Sequence, residues 1–259
     1  MSPPRDPFKA EPGVSYSKGQ VNRAGRLILR FVEAASDGRA DSALAELGAV
    51  DVFDAFRTVT WWRSLHARPL SLVAVGLRYH VDKEGGQTGG RIDVTQRLKR
   101  RQTIIGKLAR EPKMQVTQMQ DIGGVRVRLP SLDHVHAVSR RLRKTWTIVR
   151  VRDYIAEPKR SGYRALHLIV RRDGYPIEVQ LRTRLQDAWA NQVEEDGTVL
   201  GVGLKFGAGS ADIHAYYVAV SEAFALLDRG ELLSDEVAAT LKTRYAIIKD
   251  ILPDEREQP

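Results

Sequence analysis

The sequence predicts an α+β fold, a mixed β-sheet of about five strands flanked by helices. Three observations predict it. Residues 20–84 place apolar side chains three and four apart, the helical period. From about residue 91 the pattern switches to alternation, and the β-like runs fall in the order β-α-β-α-β-β-α. That order is neither the strict alternation of a parallel sheet nor a simple meander. Beyond residue 210 the helical period returns.

The 259 residues are enough for a sizeable core, and they carry a net charge of +9. A basic balance points to phosphate-bearing partners. The charge is also clustered: Arg97–Arg110 and Arg140–Arg152 each hold six Lys or Arg and no acid. The sequence has no cysteine, which excludes disulfides, thiolate metal sites and a cysteine nucleophile. No apolar run approaches the roughly 20 residues of a membrane span. The N-terminus lacks the apolar stretch of a secretory signal. A cytoplasmic protein with no membrane partner is expected.

Residues 1–19 carry four prolines with Gly and Ser, and a flexible tail is expected there. Ser17 is placed to cap the helix that follows. Ala24, Leu27, Ile28, Phe31 and Val32 then share one helical face, and Asp37-Gly38 ends the helix. A short helix is predicted over 40–47 and a third from about Val50 to His66. In that helix Trp61, Trp62 and His66 read as packing residues. Leu70–His80 is apolar and ambiguous between helix and strand, with helix preferred. Residues 85–91 form a glycine-rich loop without the Lys-Ser/Thr pair of a phosphate-binding loop, so a connector is expected.

Arg91–Lys99 alternates as a strand, with Arg97 and Lys99 on one side. A helix over 102–110 sets Thr103 and Lys107 one turn apart, and Pro112 stops it. In 121–129, Val125, Val127 and Leu129 form the inward face, and Asp121 precedes two glycines. A helix over 132–144 and a strand over 146–155 follow. Asp173-Gly174 between two alternating runs predicts a hairpin. On its first strand Tyr163, Ala165 and His167 share a face. On its second, Glu178, Gln180 and Arg182 lie opposite Ile177, Val179 and Leu181. Helices over 184–195, 211–227 and 235–252 complete the chain around the glycine-rich residues 197–209. The expected organisation is a tail (1–19), N-terminal helices (20–84), a β-containing core (85–210), C-terminal helices (211–252) and a second tail (253–259).

Asp121 and Glu178 fall on neighbouring strands of such a sheet. Two carboxylates in a basic region suit a divalent cation, most naturally Mg²⁺, bridging phosphate oxygens. Alternatively, each pairs with a nearby arginine. Phosphoryl-type transfer asks the protein mainly for alignment and charge neutralisation. Arg97, Lys99, Lys107, Lys159 and Arg182 are available for that, and a Glu beside the metal can take the proton of an attacking hydroxyl. Tyr163 after Gly162 offers a plane on which a nucleobase can stack, or else it packs within the sheet.

Four segments in order resemble the synthetase domain of the RelA/SpoT family. They are Arg97-x-Lys99-x-x-x-Thr103-Ile104-x-x-Lys107, Asp121-Ile-Gly-Gly-Val-Arg126, Asp153-Tyr-Ile-x-x-Pro-Lys159-x-x-Gly-Tyr163-Arg-x-Leu-His167 and Glu178-Val-Gln-Leu-Arg-Thr183. Trp189-Ala190 is similar to the helix that follows in small single-domain members. The resemblance implies a nucleotidyltransferase-like fold, with 85–210 as the synthetase core. It also implies transfer of the β,γ-pyrophosphate of ATP to a ribose 3′-hydroxyl. Arg97, Lys99, Thr103 and Lys107 would hold ATP. Asp121 and Glu178 would hold Mg²⁺ and be catalytic. Tyr163 would stack on the acceptor base, Lys159 and His167 would meet its phosphates, and Gln180 and Arg182 would line the site. Thr103 stands where the family usually has serine, and Ser161 where it usually has asparagine.

The expected product is (p)ppGpp, made from GDP or GTP. The alternative implied by toxic members of the family is pyrophosphorylation of the tRNA 3′ CCA end, which blocks translation, with an antitoxin or other regulator as a possible partner. A remote alternative is a non-catalytic nucleotide or RNA sensor. Retention of Asp121, Glu178, Tyr163 and His167 argues against it.

Overall fold

The computed structural model describes residues 13–85, 93–204 and 207–251. The expected connector at 85–91, apart from its first residue, the residues before Gly13 and the tail at 253–259 lie outside them. The elements run α1 (Lys18–Ser36), α2 (Ala40–Leu47), α3 (Ala49–Ser64), α4 (Ala67–Gly85), β1 (Val94–Leu98), α5 (Arg101–Arg110), a single 3-10 turn (Val116–Gln118), β2 (Gly123–Leu129), α6 (Leu132–Thr145), β3 (Ile148–Asp153), β4 (Leu166–Arg172), β5 (Tyr175–Thr183), α7 (Arg184–Val199), α8 (Ala211–Asp228) and α9 (Asp235–Ile248). The strands form one sheet in the order β1-β2-β5-β4-β3. The protein therefore has the α+β architecture expected, with five strands and flanking helices.

Local chemistry accounts for the boundaries. Ser17 accepts from the Gln20 amide while Gln20 reaches back to the Ser17 amide, a reciprocal cap that starts α1 at Lys18. The helix thus begins inside the segment expected to be tail. Leu70–His80 is helical within α4. Its buried residues Leu70, Val73, Ala74, Leu77 and Val81 recur at three and four, so the helical period wins over the apolar run. Asp173 and Gly174 have positive φ values of 49° and 84°, as the two central residues of a type I′ turn require, and they close the β4–β5 hairpin.

By its contacts the chain divides into two compact units, each assembled from several segments. The first comprises residues 1–75, 96–125 and 171–178. In it α1 packs on α2, α3 and α5. Its core joins Val21, Ile28, Val59, Trp62, Ile104 and Met119, and His66 is fully buried beside Trp62. Burial of Trp62 and His66 matches the packing role read from the sequence. The second unit comprises residues 76–95, 126–170 and 179–259. There α8 packs on α7 and α9 around Trp189, Val193, Ile213, Tyr217 and Ile248.

β5 alternates as expected, with Ile177, Val179 and Leu181 fully buried and Glu178 and Gln180 half-buried. β3 pairs antiparallel with β4 at the sheet edge, with an irregularity between Ile148 and Arg150. Residues 149–152 are exposed on both faces, as an edge strand without a covering layer must be. β4 starts at Leu166, so Tyr163 precedes the strand and does not share its pleat. The cause is local. Gly162 has φ 89°, and the Gly162 amide donates to Lys159 O while the Lys159 amide donates to Tyr163 O. These bonds curl 159–163 into a tight loop.

Candidate active site

The candidate residues fall into two groups, one in each unit. In the first unit, β1, α5 and the approach to β2 converge on Asp121. The Lys99 amide donates to Ile122 O at 2.8 Å, and Arg63 Nε donates to Lys99 O at 2.7 Å, so the end of β1 is fixed against the start of β2. Lys99 Nζ donates to Asp121 Oδ2 at 2.8 Å and Lys107 Nζ to Oδ1 at 3.1 Å. All three side chains are about four-fifths buried. Burial pushes the Asp121 carboxyl up, but the two ammonium groups outweigh it and hold the carboxyl below its usual range. Asp121 is thus an anion held between cations, and its partners are lysines where arginines were the alternative.

Thr103 is half-buried in the first turn of α5, one turn before Lys107, and Arg97 is exposed on β1. Glu178 lies on β5, the strand beside β2. Gly123 is required here for space, because a Cβ would stand 2.6 Å from Ile177 Cδ1. Gly123 therefore serves strand packing, whereas a Cβ at Gly124 would meet nothing closer than Arg97 O at 4.0 Å.

A divalent cation fits this chemistry. Ionised Asp121 and half-buried Glu178 are hard oxygen donors. Among the described residues no three His, Cys, Asp or Glu side chains converge on a metal position. Mg²⁺ is commonly held by only one or two carboxylates together with substrate phosphates, so such an ion does not require a three-residue cluster.

In the second unit the group is built around Tyr163. Arg182 Nη2 donates to the Tyr163 hydroxyl at 2.7 Å and to Gln180 Oε1 at 2.9 Å. The Tyr163 hydroxyl lies 2.7 Å from His167 Nε2. Arginine can only donate, so the Tyr163 oxygen accepts from Arg182, while the direction of its bond with His167 Nε2 follows the imidazole tautomer. Lys159 Nζ sits 5.0 Å from the Tyr163 ring centre and 4.7 Å from that of Tyr154, and the Arg182 guanidinium sits 5.1 Å from the Tyr163 ring. All five residues predicted for an acceptor, Lys159, Tyr163, His167, Gln180 and Arg182, lie in this unit, and four of them form one hydrogen-bonded network.

Two features went unread in the sequence. Arg182 is only 3 % exposed and pairs with Asp187 at 3.2 Å, where a site-lining cation was expected. Tyr154 packs edge-on against both Tyr163 and His167, extending the aromatic group. Tyr154 belongs to the Asp153-Tyr-Ile segment, where nothing local marks it as a ring partner of Tyr163 and His167. The Thr183-x-x-Gln186 capping box places Asp187 in the first turn of a helix but says nothing of its pairing with Arg182.

Residues 96–196 match the family model described as the region found in RelA/SpoT proteins. The chain carries a RelA/SpoT region. All eleven predicted site residues lie within it. Among curated proteins, the chain is similar to the GTP pyrophosphokinase YjbM of Bacillus subtilis, 38% identical over 112 residues that make up 38% of this chain and 52% of that one. A second B. subtilis GTP pyrophosphokinase, YwaC, is 34% identical over 110 residues, covering 37% and 52%. The chain thus spans about half the length of these relatives. Among solved structures, small alarmone synthetase 1 of B. subtilis bound to its product pppGpp aligns with a TM-score of 0.55 at 28% identity. That match covers 66% of this chain and 94% of that one. A GTP pyrophosphokinase family protein from Streptococcus pneumoniae aligns at 0.54 and 26%, covering 70% and 97%. The RelA/SpoT region thus has the small alarmone synthetase fold. Among the described residues, no helix is long and apolar enough to cross a membrane.

Proposed function

We propose that the protein is an ATP-dependent pyrophosphokinase that makes (p)ppGpp from GDP or GTP. The observation that carries this reading is the Lys99–Asp121–Lys107 cluster, an ionised carboxylate between two buried ammonium groups. Such a cluster suits a polyanion accompanied by a divalent cation better than it suits a neutral ligand. Relatives named as GTP pyrophosphokinases and a neighbour bound to pppGpp support the acceptor class.

Arg97, Lys99, Thr103 and Lys107 hold the triphosphate of ATP. Asp121 and Glu178 hold Mg²⁺, which when bound supplies charge neutralisation at the phosphates. Tyr163 orients the acceptor base, while Lys159 and His167 meet its phosphates and Gln180 and Arg182 set the ring. Glu178 takes the proton from the ribose 3′-hydroxyl as that oxygen bonds to the β-phosphorus. The bond from the β-phosphorus to the oxygen bridging it to the α-phosphorus breaks, and AMP leaves.

One observation favours a second reading, with tRNA as acceptor and an antitoxin as its regulator. In the second unit the last turns of α6 expose Arg140, Arg143 and Lys144, and edge strand β3 exposes Arg150 and Arg152. An exposed run of cations suits a nucleic-acid backbone. Incubation with γ-labelled ATP and Mg²⁺, separately with GDP, GTP and deacylated tRNA, decides between them. Label in a guanine nucleotide is expected, label only in tRNA favours the second reading, and no transfer to any of them would sink both. The cytoplasm, where ATP and either acceptor occur, is the proposed location.

A further inference from the structure

We propose that Asp187 is a positioning residue of the acceptor site, which fixes the Arg182 guanidinium and through it the Tyr163 ring. The inference rests on the reading above that Tyr163 carries the acceptor. Asp187 stands in the first turn of α7, where the helix dipole favours a carboxylate. Its side chain is 5% exposed, yet three arginines reach it. Arg182 Nη1 lies 3.2 Å and Arg126 Nη1 3.5 Å from Oδ1, and Arg128 Nε lies 3.7 Å from Oδ2. Asn191, one turn on, donates to Oδ2 at 3.2 Å.

The guanidinium is planar and rigid, so holding one end sets the other. With Nη1 tied to Asp187, Nη2 points at the Tyr163 hydroxyl and Gln180. The tyrosine ring is thereby set with its hydroxyl against His167 and Lys159 near its ring. A buried ion pair contributes little net stability compared with apolar residues of the same shape. Its distinctive contribution here is direction, given to a side chain that would otherwise have several rotamers.

The test compares Asp187→Asn, Asp187→Glu, Arg182→Met and the Asp187→Asn/Arg182→Met pair, measuring KM for GDP and ATP separately, with tRNA replacing GDP if the wild type labels tRNA instead. Asp187→Asn is expected to raise the acceptor KM about tenfold and leave the ATP KM within about twofold, the loss of one charge-assisted hydrogen bond. Glutamate, which keeps the charge, recovers part of the loss. Added to Arg182→Met, Asp187→Asn raises the acceptor KM no further. Should Asp187→Asn not fold, the same split between substrates is expected of Asp187→Glu in smaller measure. Equal shifts in both KM values, or full additivity with Arg182→Met, would overturn the positioning role. A wild type that labels no acceptor overturns the functional reading and this one with it. An active wild type with an unaffected Asp187→Asn overturns only this one.

Discussion

Lys99 occupies one oxygen of Asp121 at 2.8 Å, while the other is taken by Lys107 at 3.1 Å. A divalent cation arriving alone meets a carboxylate already neutralised and two ammonium groups that repel it. In the proposed function, a nucleotide arriving with it would offer phosphates to the lysines and free the carboxylate. Metal and ATP are therefore expected to bind with positive coupling, each raising the affinity for the other by the same factor. Replacing Lys99 or Lys107 by Met should act in opposite directions on the two ligands. Affinity for Mn²⁺ alone should rise several-fold, and affinity for a non-hydrolysable ATP analogue should fall about tenfold or more. Electron paramagnetic titration of free Mn²⁺, with and without the analogue, reads both. A fall in Mn²⁺ affinity on removing a lysine would contradict the account.

The same cluster predicts an acid dependence. Burial alone would raise the Asp121 carboxyl, and the lysines reverse that to a net lowering from 3.8. A depressed folded value means the carboxylate contributes stability that is complete above the unfolded value. That contribution is lost as pH falls through the lower folded one. The stability of Asp121→Asn should therefore change less than that of wild type as pH drops below about 4. In the Lys99→Met/Lys107→Met pair burial is left unopposed, and the Asp121 carboxyl should titrate above its ordinary range. Urea unfolding at several pH values tests the first point and carbon-detected NMR titration of Asp121 the second.

How far the sequence carried these arguments depends on the range of the interactions. The helices, the hairpin and the alternation of β5 come from spacings of two to four residues and from the Asp173-Gly174 turn, all local signals. They were legible, whereas for Asp121 the spacing offered Glu178 with a cation or a nearby arginine, and the pairing with Lys99 and Lys107 appears only in the structure. Asp187 was not. In sequence it is an ordinary acid in the first turn of a helix, and Arg126 reaches it from 61 residues away. The placement of Tyr163 was misread because strand alternation was extended through Gly162. Its positive φ turns the chain before β4 begins, and the contact with His167 is made through a loop.

Tyr163 separates ring from hydroxyl. Tyr163→Ala removes the plane, and base stacking on an aromatic ring is typically worth about 1–3 kcal/mol, so the acceptor KM should rise by about 5- to 150-fold. Tyr163→Phe keeps the plane and loses the bonds to His167 and Arg182, each contributing about 1 kcal/mol net. Its effect should be smaller than that of alanine and should appear partly as lost stability. The ATP KM should move little in either variant, since the Lys99–Lys107 group belongs to the other unit. Steady-state kinetics with each substrate varied in turn, alongside a thermal melt, makes the comparison.

Gly162 tests whether the loop itself is part of the site. At φ 89° a side chain is strained, and a Cβ would stand 3.1 Å from Ser221 Cβ and 3.2 Å from Trp189 Cζ2 and Val218 Cα. Neither helix backbone nor a buried indole yields easily, so strain and crowding add. Gly162→Ala should cost about 2–4 kcal/mol and raise the acceptor KM with it. Ser221→Ala is the gentler control. It removes the hydroxyl that donates to Gly162 O and accepts from Arg164 Nε, but leaves the backbone free to keep its turn. It should lower the melting temperature less than Gly162→Ala does. If the two variants melted alike, the left-handed turn at Gly162 would not be what holds Tyr163 beside His167.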